Sequence, residues 1–279
     1  MSATTRLIVN ADDFGIADSV NRGIAEAHDR GIVTSASIMA TGQSFEHAVA
    51  LARERPNLGI GVHLVLTEQR PLAGGVYVPT LVGADGRFAP HAVELAGRQL
   101  GARISLRDVK VELDAQIRRV RAAGLAVTHL DGHQHVHVLP GVARVVAELA
   151  AAHGIAAVRY PVERFCPYML RSPRGFKRLA EQAAVTACCA VSPLRELRRS
   201  DDFVGFYFGG RLDETNLGTV LHELPPGHTI ELMCHPGQAD MRANGWRYAW
   251  ADELAALTSP RIRELLAARG VQLISYRNL

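Results

Sequence analysis

His129-Leu130-Asp131-Gly132-His133-Gln134-His135-Val136-His137 comes straight off a short apolar, strand-like run, 126–130. Read as extended chain, every second residue is a ligand-type side chain: His129, Asp131, His133, His135 and His137. A period of two sets all five on one side of the backbone, aimed at one point. Four of the twelve histidines fall in these nine residues. Neutral imidazole and carboxylate are the common ligands of zinc and its first-row neighbours, so the stretch reads as a metal site at a strand end rather than a solvated loop.

The rest of the chain supplies the frame for such a strand end. Extended runs are expected over 6–10, 32–40, 58–66, 126–130, 155–160, 202–208, 229–234 and 271–276. Helical patterns separate most of them. Val20, Ile24 and Ala27 mark one helix, which Gly31 closes; Val109, Leu113, Ile117 and Val120 mark another, closed by Gly124. Pro140 suits a first helical position, with Gly154 as the stop. Residues 67–101 carry Pro71, Gly74-Gly75, Pro79, Asp85-Gly86 and Pro90, so a long loop region with one short helix is expected there. The pattern also weakens over 163–199, around one Ala-rich helical piece, 179–190.

Strand and helix alternate seven or eight times over 279 residues, with no linker, repeat or low-complexity tract. We therefore expect an α/β fold, a single-domain TIM-like (β/α) barrel, irregular, with seven or eight strands, spanning 1–279 as one unit. No glycine-rich phosphate loop follows the first strand, which disfavours an open nucleotide-binding sheet.

Composition narrows the function. Hydrophobic residues make up 48% and charged residues 21%, ordinary for a globular enzyme, and the net charge is only +3. Basic runs at 171–178 and 195–199 lack the repeated aromatic interleaving of a nucleic-acid platform, Phe176 being their single aromatic, so nucleic acid is not expected as a partner. Cys166, Cys188, Cys189 and Cys234 show no metal-type spacing and no plausible pairing of neighbours. No leader-like segment precedes 7–9, and no apolar run approaches a membrane span. A soluble, reducing, cytoplasmic protein is the expectation, with a homodimer left open.

In a barrel, the C-terminal strand ends share one rim, where active sites form. Asp12 and Asp13 follow the first strand, His63 lies late in the third, His133 follows the central one and His235 a late one. Each has a plainer explanation alone: Asp12-Asp13 as a helix-capping pair, His63 as a core histidine, His235 as a turn residue before Pro236. Their joint occurrence at strand ends favours one shared site. An aspartate and two histidines would leave coordination positions open for water and substrate, as a catalytic metal requires.

Four stretches also carry a family resemblance: Asn10-Ala11-Asp12-Asp13-Phe14-Gly15, Gly61-Val62-His63-Leu64-Val65-Leu66, Thr128 through His137, and Glu231-Leu232-Met233-Cys234-His235-Pro236-Gly237. In this order they resemble the YdjC-like carbohydrate deacetylases, most closely those acting on chitooligosaccharides. The resemblance runs nearly end to end and is weakest over 67–101 and 163–199. It implies one divalent cation, Mg²⁺ or Zn²⁺, held by Asp13, His63 and His133, with Asp12 as general base. His235 is the candidate acid or oxyanion partner, while spacing alone leaves open which aspartate binds metal. His135, His137 and Arg159 are candidate substrate contacts; Arg159 could alternatively orient Asp12 through a charge-assisted pair.

The implied function is metal-dependent hydrolysis of the acetamide of a small N-acetylglucosamine-containing saccharide, releasing acetate. Alternatives are a deacetylase of a lipid-linked (hopanoid-type) N-acetylglucosamine, a metal phosphoesterase or amidohydrolase, and a non-catalytic sugar-binding protein. A phosphoesterase usually wants a second metal and more carboxylates. The weakly matching regions are expected to wall a groove in which Tyr77, Phe88, Phe165, Tyr168 or Trp246 stacks on sugar faces.

Overall fold

The computed structural model describes residues 4–170, 175–238 and 248–279. The residue Trp246 and the first part of the basic run, 171–174, lie outside the described residues.

Strand β1 (Arg6–Phe14) is the hub of the sheet. On one side it pairs with β2 (Ser35–Ile38), then β3 (Gly59–Leu64), β4 (Val127–Gly132) and β5 (Ala157–Val158) follow outward. On the other side lie β7 (Thr229–Cys234) and β6 (Asp202–Val204). All these pairings are parallel. The closing strand β8 (Gln272–Ile274) pairs with the first residues of β1.

The free edges, β5 and β6, approach each other without a continuous ladder. Isolated bridges Ala157–Arg198 and Glu163–Phe203 span the seam, and the Val158 N–H donates to the Arg198 carbonyl at 2.9 Å. The result is the expected irregular TIM-like barrel, curled round with one loosely closed seam.

Alternation along β1 assigns its two faces. Leu7, Val9 and Ala11 join the large core under the helices, whereas Ile8 joins Ala157, Ile274 and Tyr276 inside the barrel. Asn10 and Asp12 follow Ile8 at the same period, so the interior turns polar toward the C-terminal rim. Helix α1 (Asp18–Asp29) buries Val20, Ile24 and Ala27, as its periodicity predicts. Next come α2 (Phe45–Arg53), α3 (Ala92–Leu100) and α4 (Leu106–Ala122). The middle helices are α5 (Val142–His153) and α6 (Gly175–Ala190), followed by α7 (Glu214–His222). Helices α8 (Trp250–Thr258) and α9 (Pro260–Ala268) finish the outer layer.

The long segment between β3 and α3 is tied down by buried polar side chains of α4, which apolar periodicity does not reveal. Gln116 answers both backbone groups of Val65, its Oε1 accepting at 2.9 Å and its Nε2 donating at 2.8 Å. Glu112 accepts the N–H groups of Leu72 and Ala73, and Asp108 accepts from Thr80. Helix α8 is a further element that the sequence pattern did not resolve.

The alternation through the histidine stretch stops sooner than the sequence suggests. Strand β4 ends at Gly132, and His133–Val138 wind into a 3-10 turn in which Gln134 and His135 take left-handed backbone angles, φ 52° and 56°. His129 and Asp131 lie on the strand, whereas His133, His135 and His137 fall in the turn, where the period of two no longer relates them. The four cysteines are free, and no helix among the described residues is long and apolar enough to cross a membrane.

Candidate active site

Asp13 ends the extended run of β1 in a left-handed conformation, φ 64°, which costs energy for a residue with a Cβ. Its turn is held from three sides. The Met39 N–H donates to the Phe14 carbonyl at 2.7 Å, the Gly15 N–H to Asn21 Oδ1 at 2.6 Å, and the Ser44 N–H to the Gly15 carbonyl at 2.9 Å. The constraint sets the carboxylate of Asp13 against two imidazoles. His63 Nε2 stands 3.4 Å and His133 Nδ1 3.0 Å from Asp13 Oδ1. Donor atoms of all three buried residues lie within 4.8 Å of one another.

Asp13 Oδ1 is buried and meets the two imidazoles at ion-pairing distance without a well-aligned hydrogen bond, an arrangement that could hold a cation. One carboxylate and two imidazoles form an N,N,O set suited to a divalent transition ion or magnesium. Asp131 supports the set from behind: its Oδ1 is 2.9 Å from His63 Nδ1, which fixes the ring and leaves Nε2 toward Asp13. Glu68 Oε2 lies 3.2 Å from His133 Nε2.

The electrostatics of the cluster suit a positive charge between these three residues. Burial opposes charge on His63, but Asp131, Asp12 and the bond toward Asp13 outweigh it and raise its pKa to about 10. Burial opposes charge on His133 likewise, yet Asp13 and Glu68 carry it to about 9. Burial alone would raise the Asp13 carboxyl; the two imidazoles hold it well below the usual range. A divalent cation would take over the positive charge these protons supply.

Asp12, next door, faces the barrel interior and meets Arg159, which follows β5. Arg159 Nη1 donates to Asp12 Oδ2 and Nη2 to Asp12 Oδ1, both at 2.6 Å. Arg159 also reaches Asp131 Oδ2 at 3.0 Å and Glu231 Oε1 at 2.8 Å, and it is 0% exposed. Its guanidinium thus occupies the space between Asp12 and Asp131, which disfavours a second cation at Asp12, His63 and Asp131 although their donors also converge. Ser37 donates to Asp131 at 2.7 Å, and Asn10 donates to Ser37 and to Asp12.

Below this layer, the Tyr276 hydroxyl donates to Glu231 Oε2 at 2.5 Å and its ring stacks on His129, centroids 3.7 Å apart. Gly61 makes room for that histidine: a Cβ there would stand 2.3 Å from its ring. Burial and the Arg159 charge drop the pKa of His129 to about 3, so it is a neutral filler of the floor.

Among the other sequence candidates, His235 follows β7 directly. Cys234 is in register with Ala11, so His235 sits at the level of Asp12 on the neighbouring strand. His135 packs against Phe203 and Phe206, and His137 is wholly buried with Nε2 3.2 Å from the Arg159 carbonyl. Tyr77 (73% exposed) and Phe165 (55%) present rings to solvent, whereas Phe88 and Tyr168 are core residues. Glu68, Glu231, Glu253 and Tyr276 were not singled out from the sequence. Glu231 alone left a signal, a carboxylate inside an otherwise apolar buried strand.

Comparison with known proteins matches this arrangement to a family. A family model described as YdjC-like protein matches residues 6–268. A carbohydrate deacetylase of Geobacillus stearothermophilus is 38% identical over 273 residues, covering 97% of this chain and 96% of that one. The Homo sapiens carbohydrate deacetylase is 37% identical over 304 residues, covering 98% and 91%. A crystal structure from Enterococcus faecalis V583, described as a candidate cellobiose-phosphate cleavage protein, superposes with a TM-score of 0.78 at 28% identity over 99% of both chains. With the family model spanning nearly the whole sequence, the chain belongs to the YdjC-like family.

Proposed function

We propose that this chain, acting as one domain over 1–279, is a carbohydrate deacetylase. It hydrolyses the acetamide of N-acetylglucosamine-containing saccharides of the chitooligosaccharide type, with one divalent cation held by Asp13, His63 and His133. The observation that carries the reading is the convergence of one buried carboxylate and two buried imidazoles, with ligand atoms within 4.8 Å of one another. The relatives named carbohydrate deacetylases, alike over nearly full length, support the reaction class.

A cation bound there supplies positive charge that polarises an acyl oxygen and acidifies a water molecule. The protein's own groups do the rest. Asp12 accepts the proton of the attacking water, held for that task by the two-pronged grip of Arg159, which makes Arg159 a positioning residue rather than a substrate contact. His235, one strand over, donates a proton to the departing nitrogen as the C–N bond breaks. Water and acetamide are consumed; acetate and a free amine result. His135 lines the wall beside Phe206, while His137 braces the Arg159 backbone.

Tyr77 and Phe165, exposed on the two weakly matching regions, are available to stack on sugar faces in an extended groove. The test is acetate release from N-acetylglucosamine, chitobiose and an N-acetylglucosaminyl lipid. We expect a higher kcat/KM for chitobiose than for the monomer. Equal values would refute the groove, and turnover of the lipid alone would move the substrate to a lipid-linked sugar.

A further inference from the structure

Glu253 lies in α8, 18 residues after His235, and it is wholly buried. Its two oxygens are spoken for by backbone. Oε2 accepts the His235 N–H at 2.6 Å and Oε1 accepts the Leu212 N–H at 3.1 Å. A buried carboxylate is expensive without a compensating charge. Among the described residues, Glu253 forms an ion pair with no lysine or arginine; its one partner at pairing distance is His235, whose Nδ1 stands 3.9 Å from Oε2. That Nδ1 is itself buried and has no hydrogen-bond partner among the described residues. The imidazole is walled by Tyr248, centroids 4.8 Å apart, and by Trp250 at 6.3 Å, so it has little room to turn elsewhere.

The unpartnered Nδ1 and a buried carboxylate therefore face each other 3.9 Å apart. We infer that Glu253 is a positioning residue for His235: its carboxylate takes the Nδ1–H, which leaves Nε2 to carry the proton given to the departing amine. This rests on the proposed role of His235 as acid. In the reaction, the proton leaves His235 Nε2 for nitrogen as the C–N bond breaks, and the Glu253 carboxylate gains no proton; it balances the imidazolium while that exists. Catalytic hydrogen bonds are commonly long before substrate binds, which accounts for the present spacing. Burial pushes the Glu253 carboxyl up, and the strongest influence opposing that is the His235 charge.

The test compares two leaving groups in the metal-loaded enzyme. Chitobiose releases an amine and needs a proton; 4-nitrophenyl acetate releases a phenolate and does not. Glu253→Gln should lower kcat for chitobiose by about 10- to 100-fold, the usual cost of losing a carboxylate behind a working imidazole. The amide-to-ester ratio should fall by at least about tenfold, with KM and metal content held, and Glu253→Asp should recover part of the loss. A purely structural Glu253 would lower both reactions alike and leave the ratio unchanged, which overturns the inference. His235→Asn separates the two readings. If its ratio stays at the wild-type value, His235 is not the acid; if its ratio falls while that of Glu253→Gln does not, only the role of Glu253 fails. Should Glu253→Gln not fold, ¹⁵N spectra of the wild-type His235 ring decide, since a protonated Nδ1 is expected and an Nε2–H tautomer contradicts it.

Discussion

Arg159 and Asp12 meet end-on through two parallel hydrogen bonds of 2.6 Å, deep inside the barrel and 147 residues apart in sequence. The same guanidinium also holds Asp131 and Glu231, so one cation orders three carboxylates. Burial works against a charged guanidinium, but these carboxylates hold its pKa well above the usual value. Removing it would leave buried negative charge with nothing to offset it. Arg159→Met should destabilise the fold by about 3–5 kcal/mol, read as a lower urea midpoint with unchanged m. Arg159→Lys keeps charge but loses the fork, and kcat should fall by about tenfold or more with KM little changed. A lysine variant with wild-type kcat would show that the fork does not position Asp12.

Asp131 is wholly buried and orients His63 through Nδ1. Asp131→Asn should weaken divalent-cation affinity by about 10- to 100-fold while the fold persists. Titration calorimetry with zinc or magnesium reads this directly. Unchanged affinity would mean that the ring orientation of His63 does not depend on Asp131.

How far the sequence carried the reading follows from particular residues. The barrel was legible because parallel strands buried on both faces, such as β1 and β7, read as apolar runs between helical periods. Asp13, His63 and His133 were legible as polar residues at strand ends. The period-two reading fails from Gln134 onward, because Gln134 and His135 adopt left-handed angles that no periodicity predicts. Glu253 lies in α8, a helix that the sequence pattern did not resolve, and the burial of Gln116 and Glu112 on α4 leaves no trace in its apolar periodicity. In each case tertiary contact, not local pattern, decides where the side chain goes.

Glu163 sets a pH dependence apart from the Asp13, His63 and His133 cluster. It accepts the N–H groups of Gly205 and Tyr207, both at 2.8 Å, and burial raises its pKa from 4.5 to about 7 against those bonds. A raised carboxyl binds its proton more tightly in the folded state. Its contribution to stability is therefore full below about pH 4.5 and is lost as pH rises through about 7. Glu163→Gln should flatten that part of the stability profile, measured as urea midpoints between pH ~5 and ~8. A variant with the wild-type slope would contradict the assignment.

The most direct test of the account is acetate release from chitobiose before and after chelation, run alongside elemental analysis. Chelation should abolish release by the wild type, and adding back one divalent ion per chain should restore it. Asp13→Ala, His63→Ala and His133→Ala should each lose the ion and stay inactive on add-back. Asp12→Asn should keep the ion and still release acetate at least about 100-fold more slowly. Release that survives chelation, or full metal content in all three alanine variants, would contradict a catalytic cation at Asp13, His63 and His133.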